Sequence, residues 1–444
     1  MTIQTATDSI APLSISPEED RPLESASDAD AGQGYVNYGL MALYQVIIRT
    51  GWIFKTESII MPVVLDVIAG QAWVRGCLPM LNRFGQSIPP ILASRRVHST
   101  AYKKYALALT TSLMGVTFWA LALLWLTTSE ESFWWTPIAF LMLYAVFFVS
   151  TGVNQLVFGT ATGKFIFYHH RGRLMLVSNA LGVVCAVTCA WVLLRSWLSE
   201  ASANFFAIFA FTGSCFLAAA FICLLLVERP DSFSNESNGV RALFRSTREI
   251  LSGDADFRRL VLVASLFGMS TTLFPHYQAL GRQRLDLGLD YLLPWVISQN
   301  VGMFLFSVPA GWLADRYGNR LVLRTLLLAM CAAPLLSLVL AQLGSVGGEY
   351  YFLVFGCVGA TPVTIRLFQH YCLELAPRKI QPHYLSTLNL MMAVPAILTS
   401  TLLGALLDTV GFAPVFLVVV GCLALGWFLA KDLIEPRKVN RKVG

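Results

Sequence analysis

The sequence predicts an all-α membrane protein of twelve transmembrane helices in two bundles of six. Three observations predict it: the composition, the length and number of the apolar runs, and the placement of the basic residues. Of the 444 residues, 56% are hydrophobic and only 13% charged, and the mean hydropathy is +0.63. Soluble domains carry about a quarter charged residues, so half that fraction leaves too little polar surface to solvate a globule. The composition excludes a soluble enzyme, a nucleic-acid binder and a disulfide scaffold. Apolar runs near 20 residues recur from Leu40 to Leu433, each long enough to cross a hydrocarbon core of about 30 Å.

Residues 1–36 hold seven acids and a single base, Arg21, in a Ser-, Ala- and Pro-rich stretch without an apolar core. They read as a disordered acidic tail. The first span, 40–67, follows it. The second, 73–93, closes on Arg95 and Arg96, and the third, 105–126, opens after Lys103 and Lys104. The fourth, 134–160, ends before Lys164, and the fifth, 174–194, starts after Arg171 and Arg173. The sixth, 205–227, completes the first half. Trp125, Trp134, Trp135 and Trp197 fall at the span ends without basic clusters, as interfacial aromatic residues should. Residues 229–259 are polar and mixed in charge, a hydrophilic linker. The second half has spans 260–280, 292–314, 321–343, 350–373, 385–407 and 411–433. The domain expectation is therefore a tail over 1–36, bundles over 37–228 and 260–436, a linker over 229–259 and a basic tail over 437–444.

Lys and Arg concentrate in alternate loops, which hold 23 of the 32 basic residues; the opposite loops hold only Arg75, Arg195, Arg282 and Arg284. By the positive-inside rule both termini are cytoplasmic, and the net charge of +6 is mostly topology rather than a sign of a nucleic-acid partner. A multi-pass protein of the bacterial inner membrane is expected. The nine cysteines all lie in apolar runs, which argues for packing and against a disulfide framework. Cys185 and Cys189, one turn apart, have no acid or His beside them, so no metal site is expected.

The halves look duplicated. The second span ends Ser87-Ile-Pro-Pro-Ile-Leu-Ala-Ser-Arg95 and the eighth Ser307-Val-Pro-Ala-Gly-Trp-Leu-Ala-Asp-Arg316. The sixth closes with Val227-Glu-Arg-Pro230 and the twelfth with Ile434-Glu-Pro-Arg437. Repeats of this kind place a substrate site near the bilayer midplane, between the halves.

After the eighth span the loop reads Gly311-Trp-Leu-Ala-Asp315-Arg316-Tyr-Gly318-Asn-Arg320-Leu-Val-Leu-Arg324. It resembles the signature loop of the major facilitator superfamily, and the helix count, orientation and repeat extend the resemblance over residues 38–436. The resemblance implies a transporter in which Gly311, Asp315, Arg316, Gly318 and Arg320 form a conformational latch. Asp315 would bond toward a neighbouring helix N-terminus, and Arg316 and Arg320 would pair with acids such as Glu435, holding the halves together. Two departures stand out. The loop 94–104 lacks the acid and the glycines, and the fifth helix lacks the Gly-Pro signature of proton-coupled drug exporters. No characterised subfamily follows.

Ionised side chains at membrane depth normally face a wet cavity or a partner. With the bases assigned to loops and Arg21 set aside, four remain inside spans: Arg49, Lys55, Arg83 and Arg366. Arg49 and Thr56 share a face beside Glu57; Arg83, Gln86 and Ser87 share another; Arg366, Gln369 and His370 a third. The substrate-binding candidates are Arg49, Glu57, Arg83, Gln86, Asn154, Gln155, His276, Gln299, Asn300, Arg366 and His370. The positive balance favours an organic or anionic solute bridging Arg83 and Arg366. Glu57 is the candidate to exchange protons, burial and a nearby cation acting on it in opposite senses. The plainer readings are that Arg49 pairs with Glu57, that Arg366 is anchored by Glu374, and that each Asn or Gln is an interhelical hydrogen bond. Asp66 and Asp408 read as caps or loop residues. The function expected is secondary active transport by alternating access in the lipid bilayer, without cofactor. The alternative is a non-transporting receptor or sensor on the same fold. An integral-membrane enzyme would need a catalytic pair such as His169-His170 or Asp286 with Asp290.

Overall fold

The computed structural model of the chain describes residues 28–128, 133–166, 168–199, 203–230, 240–377 and 380–435. The acidic stretch before residue 28, the centre of the linker and the basic tail over 437–444 lie outside the described residues. Those described are helical apart from loops and one isolated bridge between Leu198 and Ala203. Among the described residues, ten helical stretches are long and apolar enough to cross a membrane. The two other expected spans are present as broken pairs.

The first span is interrupted. α1 (Asp28–Phe54) begins inside the stretch expected as tail, and α2 (Ile60–Ile68) follows a five-residue break at 55–59. No Pro or Gly marks this break. The Thr56 carbonyl accepts from the amides of Ile59, Ile60 and Met61 at 3.3, 2.9 and 3.1 Å, which restarts the helix in a new direction. The second span divides into α3 (Ala72–Ser87) and α4 (Pro89–Ser99), where Pro89 and Pro90 cannot supply the amides a continuous helix needs. Then come α5 (Lys103–Thr128), α6 (Thr136–Phe165), α7 (Tyr168–Cys189), a π-turn at Ala190–Leu194, the short α8 (Arg195–Trp197) and α9 (Phe205–Leu224).

Part of the expected linker forms α10 (Val240–Gly253), which packs on later helices; its Thr247 hydroxyl lies 3.2 Å from that of Thr387. The seventh span is interrupted like the first. α11 (Ala255–Gly268) gives way to a 3₁₀ segment, Met269–Leu273, and then α12 (Phe274–Leu285). Ser270, Thr271 and Thr272 each bond back to a carbonyl three residues earlier, a local alternative to the helical ladder. The rest of the half comprises α13 (Leu292–Tyr317), α14 (Asn319–Leu340), α15 (Gly344–Tyr350), α16 (Phe352–Val358), α17 (Ala360–Leu375), α18 (Gln381–Val410) and α19 (Phe412–Leu429).

The pairings repeat between halves. α5 packs on α9 as α14 packs on α19, and α3 on α6 as α13 packs on α16. Each of the latter crossings has a glycine contact at its centre. A Cβ on Gly152 would strike the Gly85 carbonyl, and one on Gly302 the Gly356 carbonyl. Backbones approach this closely only over small residues, the usual means of helix association in lipid. The repeated glutamates do the same work in each half. Glu228 accepts from the amides of Lys103 and Lys104 at 2.6 and 2.8 Å, capping α5. Glu435 accepts from the Arg320 amide at 2.9 Å, capping α14. Both carboxylates sit where the helix dipole favours a negative charge. Outward-facing leucines such as Leu109, Leu176 and Leu398, each at least 70% exposed, suit a lipid environment.

The halves meet chiefly through α3 with α18, α2 and α3 with α12, and α7 with α13. The α3–α18 contact is tightest near Ala72 and Gly76 against Gly404 and Ser400. These residues lie at the end of the bundle opposite the basic loops, and that end is closed.

Candidate functional site

A cavity of about 480 Å³ lies between the halves. Its walls come from α1, the break at 55–59, α3, α7, the 3₁₀ segment, α13 and the α16–α17 junction. Both interrupted helices, the first of each half, reach it. Helix interruption at corresponding positions of two repeats is how such folds expose backbone and polar side chains at membrane depth.

Of the residues expected at a site, Arg49, Glu57, Arg83, Gln86, Gln299 and Asn300 line this cavity. Arg49 extends from α1 and donates to the Asn179 side-chain oxygen at 3.1 Å. Gly182 makes room for it, since a Cβ there would lie 2.9 Å from the Arg49 Cδ. Arg49 does not pair with Glu57. That carboxylate is held by Lys55 and by the Asn82 amide, and Gln86 donates to Asn82 at 2.8 Å. Lys55 is fully buried, its ammonium 3.5 Å from the Trp52 ring centroid and near Phe147 and Phe148. An ammonium so enclosed is held by the ring faces and one carboxylate in place of water. Across the halves, Ser58 donates to the Gln299 side-chain oxygen at 2.7 Å.

Five expected residues do not line the cavity. Asn154 is spent on a structural network, accepting from the Tyr44 hydroxyl at 3.0 Å and donating to Thr110 and Thr111 at 3.0 and 2.7 Å. Gln155, next to it on α6, is exposed. His276 is fully buried at the closed end, with neither ring nitrogen hydrogen-bonded. The 3₁₀ segment shifts the helical register before it, so that Thr271 and Phe274 face the cavity instead. Arg366 and His370 are exposed on α17, Arg366 immediately after the lining residue Ile365. Asn319, not Arg366, engages Glu374, at 2.8 Å. Sequence reasoning did not place Gln45, Ser58, Asn82, Asn179, Thr271 and Thr361 at the site. Gln45, one turn before Arg49, and Asn82, one turn before Gln86, carried a periodic signal.

The closed end has its own polar contacts. Asp66 on α2 takes the Arg75 guanidinium and accepts from the Gln278 amide at 2.9 Å. Asp408 on α18 accepts from the Ala72 amide at 3.2 and 3.1 Å. The expected cap is thus formed, and across the halves, on the N-terminus of α3.

In the signature loop, Arg316, Gly318 and Arg320 meet residues of the second half. Gly318 has φ 94° and presses against the Glu435 carboxylate, which leaves no space for a side chain. Glu435 meets the Arg320 amide, and the guanidinium donates to the Leu433 carbonyl at 3.2 Å. Arg316 lies over Trp312 at 5.4 Å, and Gly311 has open space around its Cα. The pairing of Arg320 with Glu435 therefore joins α14 to the end of the twelfth span and not one half to the other. The reason is connectivity: Glu435 belongs to the same bundle and is committed to a helix N-terminus.

Residues 286–443 match the Major Facilitator Superfamily. No curated protein matches the sequence. Among solved structures the chain is similar to a variant of the nucleoside transporter NupG, with a TM-score of 0.71 and 12% identity over 90% of this chain and 100% of that one. It is similar to a D-xylose-proton symporter at 0.61 and 13%, over 93% and 99% of the two chains. The Escherichia coli fucose:proton symporter FucP gives 0.55 and 15%, over 90% and 98%. At these identities the likeness is one of fold. The family match covers residues 286–443, in the second half, and over the whole chain the likeness to these transporters is that of a multi-pass membrane fold.

Proposed function

We propose that the protein is a secondary transporter that moves a small organic anion through the central cavity by alternating access. The observation that carries this reading is the charge of the cavity. Arg49 and Arg83 line it, and the one acid among its lining residues, Glu57, is already held by Lys55 and Asn82; Arg366 follows the lining Ile365 in sequence. An anionic group would take charge-assisted hydrogen bonds from the guanidinium groups, and Gln86, Asn179, Gln299 and Asn300 would orient its polar body. Arg49, whose side-chain partner is the neutral Asn179, is taken here as the first-half contact. The basic end faces the cytoplasm of a bacterial inner membrane, so a cavity closed at the other end is in its inward-facing state. Glu57 is the group that would exchange a proton with the cycle.

The test is thermal shift of the detergent-purified protein against organic anions, sugars, nucleosides and amphiphilic cations, since a ligand of the native state raises the melting temperature. An anion that stabilises the parent and not Arg49→Ala, followed by its uptake into proteoliposomes, is the expected result. Stabilisation by neutral or cationic compounds alone, equal in both proteins, would overturn the reading.

A further inference from the structure

The two halves line the cavity with different chemistry. Its ionisable lining residues, Arg49, Glu57 and Arg83, all belong to the first half, and among the described residues the lining from the second half holds none. The two cations are also poorly matched. Arg83 makes no hydrogen bond or ion pair among the described residues, and Arg49 donates to the neutral Asn179. Glu57 is occupied by Lys55 and Asn82.

On the second half, the polar side chains of the wall are turned to protein partners. The Gln299 side-chain oxygen accepts from Ser58 at 2.7 Å, and the Asn300 amide donates to the Val296 carbonyl at 2.8 Å. The Thr271 hydroxyl donates to the Gly268 carbonyl at 2.8 Å, and that of Thr361 to the Met330 sulfur at 3.6 Å. What this wall offers the cavity is then mainly hydrocarbon and sulfur, from Phe274, Met303, Val358, Pro362 and Ile365. The Gln299 nitrogen and the Asn300 oxygen remain for neutral groups.

A carboxylate moved against such a wall gives up water and finds no counter-charge, which is costly. Apolar surface moved there is favoured in proportion to its area. At the guanidinium groups of the first half the same carboxylate gains charge-assisted hydrogen bonds. The cavity, at about 480 Å³, has the size of sites that enclose a whole organic molecule, and a charged head alone leaves most of it empty.

We propose that the ligand is an amphiphilic monoanion, an organic acid with one charged head and an apolar body. It lies across the cavity with the head on the guanidinium groups of the first half and the body against Phe274, Met303 and Ile365 of the second. The proposal rests on the anion reading above and names its substrate class. A second charge on the ligand, as in a dicarboxylate, falls on the neutral wall and is selected against.

The test is isothermal titration of the detergent-purified full-length protein with four probes: phenylpropionate, its uncharged amide, propionate and glutarate. Phenylpropionate should bind about tenfold or more tightly than propionate, since only it buries a ring, and than glutarate, whose second carboxylate meets no cation. Arg83→Gln should weaken phenylpropionate and leave the amide unchanged. Met303→Lys, which puts an ammonium on the neutral wall, should reverse the preference in favour of glutarate. Propionate or glutarate binding the parent as tightly as phenylpropionate overturns the amphiphilic class while the anion reading stands. The amide binding as tightly as the acid, in the parent and in Arg83→Gln alike, overturns the anion reading and the proposal with it, as does binding by none of the four. A Met303→Lys protein with the parent's melting temperature and unchanged preference overturns the orientation, and where that variant does not fold the parent series alone decides the class.

Discussion

At the scale of single residues, the site depends on which polar groups are already engaged. Lys55 and Glu57 illustrate this, since each is the other's counter-charge in surroundings of Trp52, Phe147 and Phe148. Glu57→Gln leaves a buried ammonium without its carboxylate and should destabilise the protein by about 3 kcal/mol, read as a lower melting temperature, because breaking a buried pair from one side is strongly unfavourable. Lys55→Met together with Glu57→Gln should recover most of that loss. If Glu57 also carries the proton, uptake by the double variant loses its dependence on pH, and a retained pH profile places coupling elsewhere. Gly182 acts on Arg49 by space alone. Gly182→Leu should displace the Arg49 stem and abolish the anion-dependent thermal shift while far-ultraviolet dichroism stays that of the parent; an unchanged shift would show that Arg49 does not meet the ligand from this position.

At the scale of elements, the repeat is legible in two glutamates. Val227-Glu-Arg-Pro230 and Ile434-Glu-Pro-Arg437 stand out in the sequence as similar ends of spans, and the structure assigns them a common task, capping the third helix of each half. Glu228 also pairs with Lys164 at 2.8 Å, with its own side chain buried. Glu228→Ala removes the acceptor for two backbone amides and should lower stability by about 2 kcal/mol. Glu228→Gln retains an oxygen and should lower it by less; equal melting temperatures for parent and both variants would remove the capping role. The interrupted helices are a different case. The break after Phe54 has no Pro, Gly or cap in the sequence, and hydropathy reads straight through it. It is held by Glu57 with Asn82 and by Ser58 with Gln299, contacts that pattern within one helix does not record. The kink after Ser87, by contrast, follows from Pro89 and Pro90 and is local.

At the scale of the whole molecule, closure at one end is a balance of a few polar contacts and close backbone packing. Asp66 and Asp408 are the carboxylates that cross it. Asp66→Asn with Asp408→Asn weakens both bonds and should shift the population toward opening at that end. The measurement is labelling of a cysteine at Thr401, beside the packed face of α18, by a membrane-impermeant reagent added from the side away from the basic loops. A severalfold increase is expected, and no increase would assign closure to the Gly76–Ser400 and Gly404–Ala72 packing alone. Such carboxylate contacts are modest individually, and under the proposed alternating access their effect would be on the balance between two arrangements rather than on folding.

The sequence by itself determined the fold class, the repeat and the identity of the charged residues at membrane depth. These are sums over contiguous residues or over loops, and a 20-residue apolar run or a basic loop carries its meaning without its neighbours. Arg49, Glu57, Arg83, Gln86, Gln299 and Asn300 were legible for the same reason, as polar exceptions in apolar spans. Tertiary structure alone decided which exceptions meet. It consumed Asn154 in a network with Tyr44, Thr110 and Thr111, carried His276 to the closed end, and turned the chain at Thr56 so that Ser58 reaches Gln299, 241 residues away. A helix face is set by local periodicity, whereas the partner it faces is set by the packing of two bundles, and only the second makes a cavity.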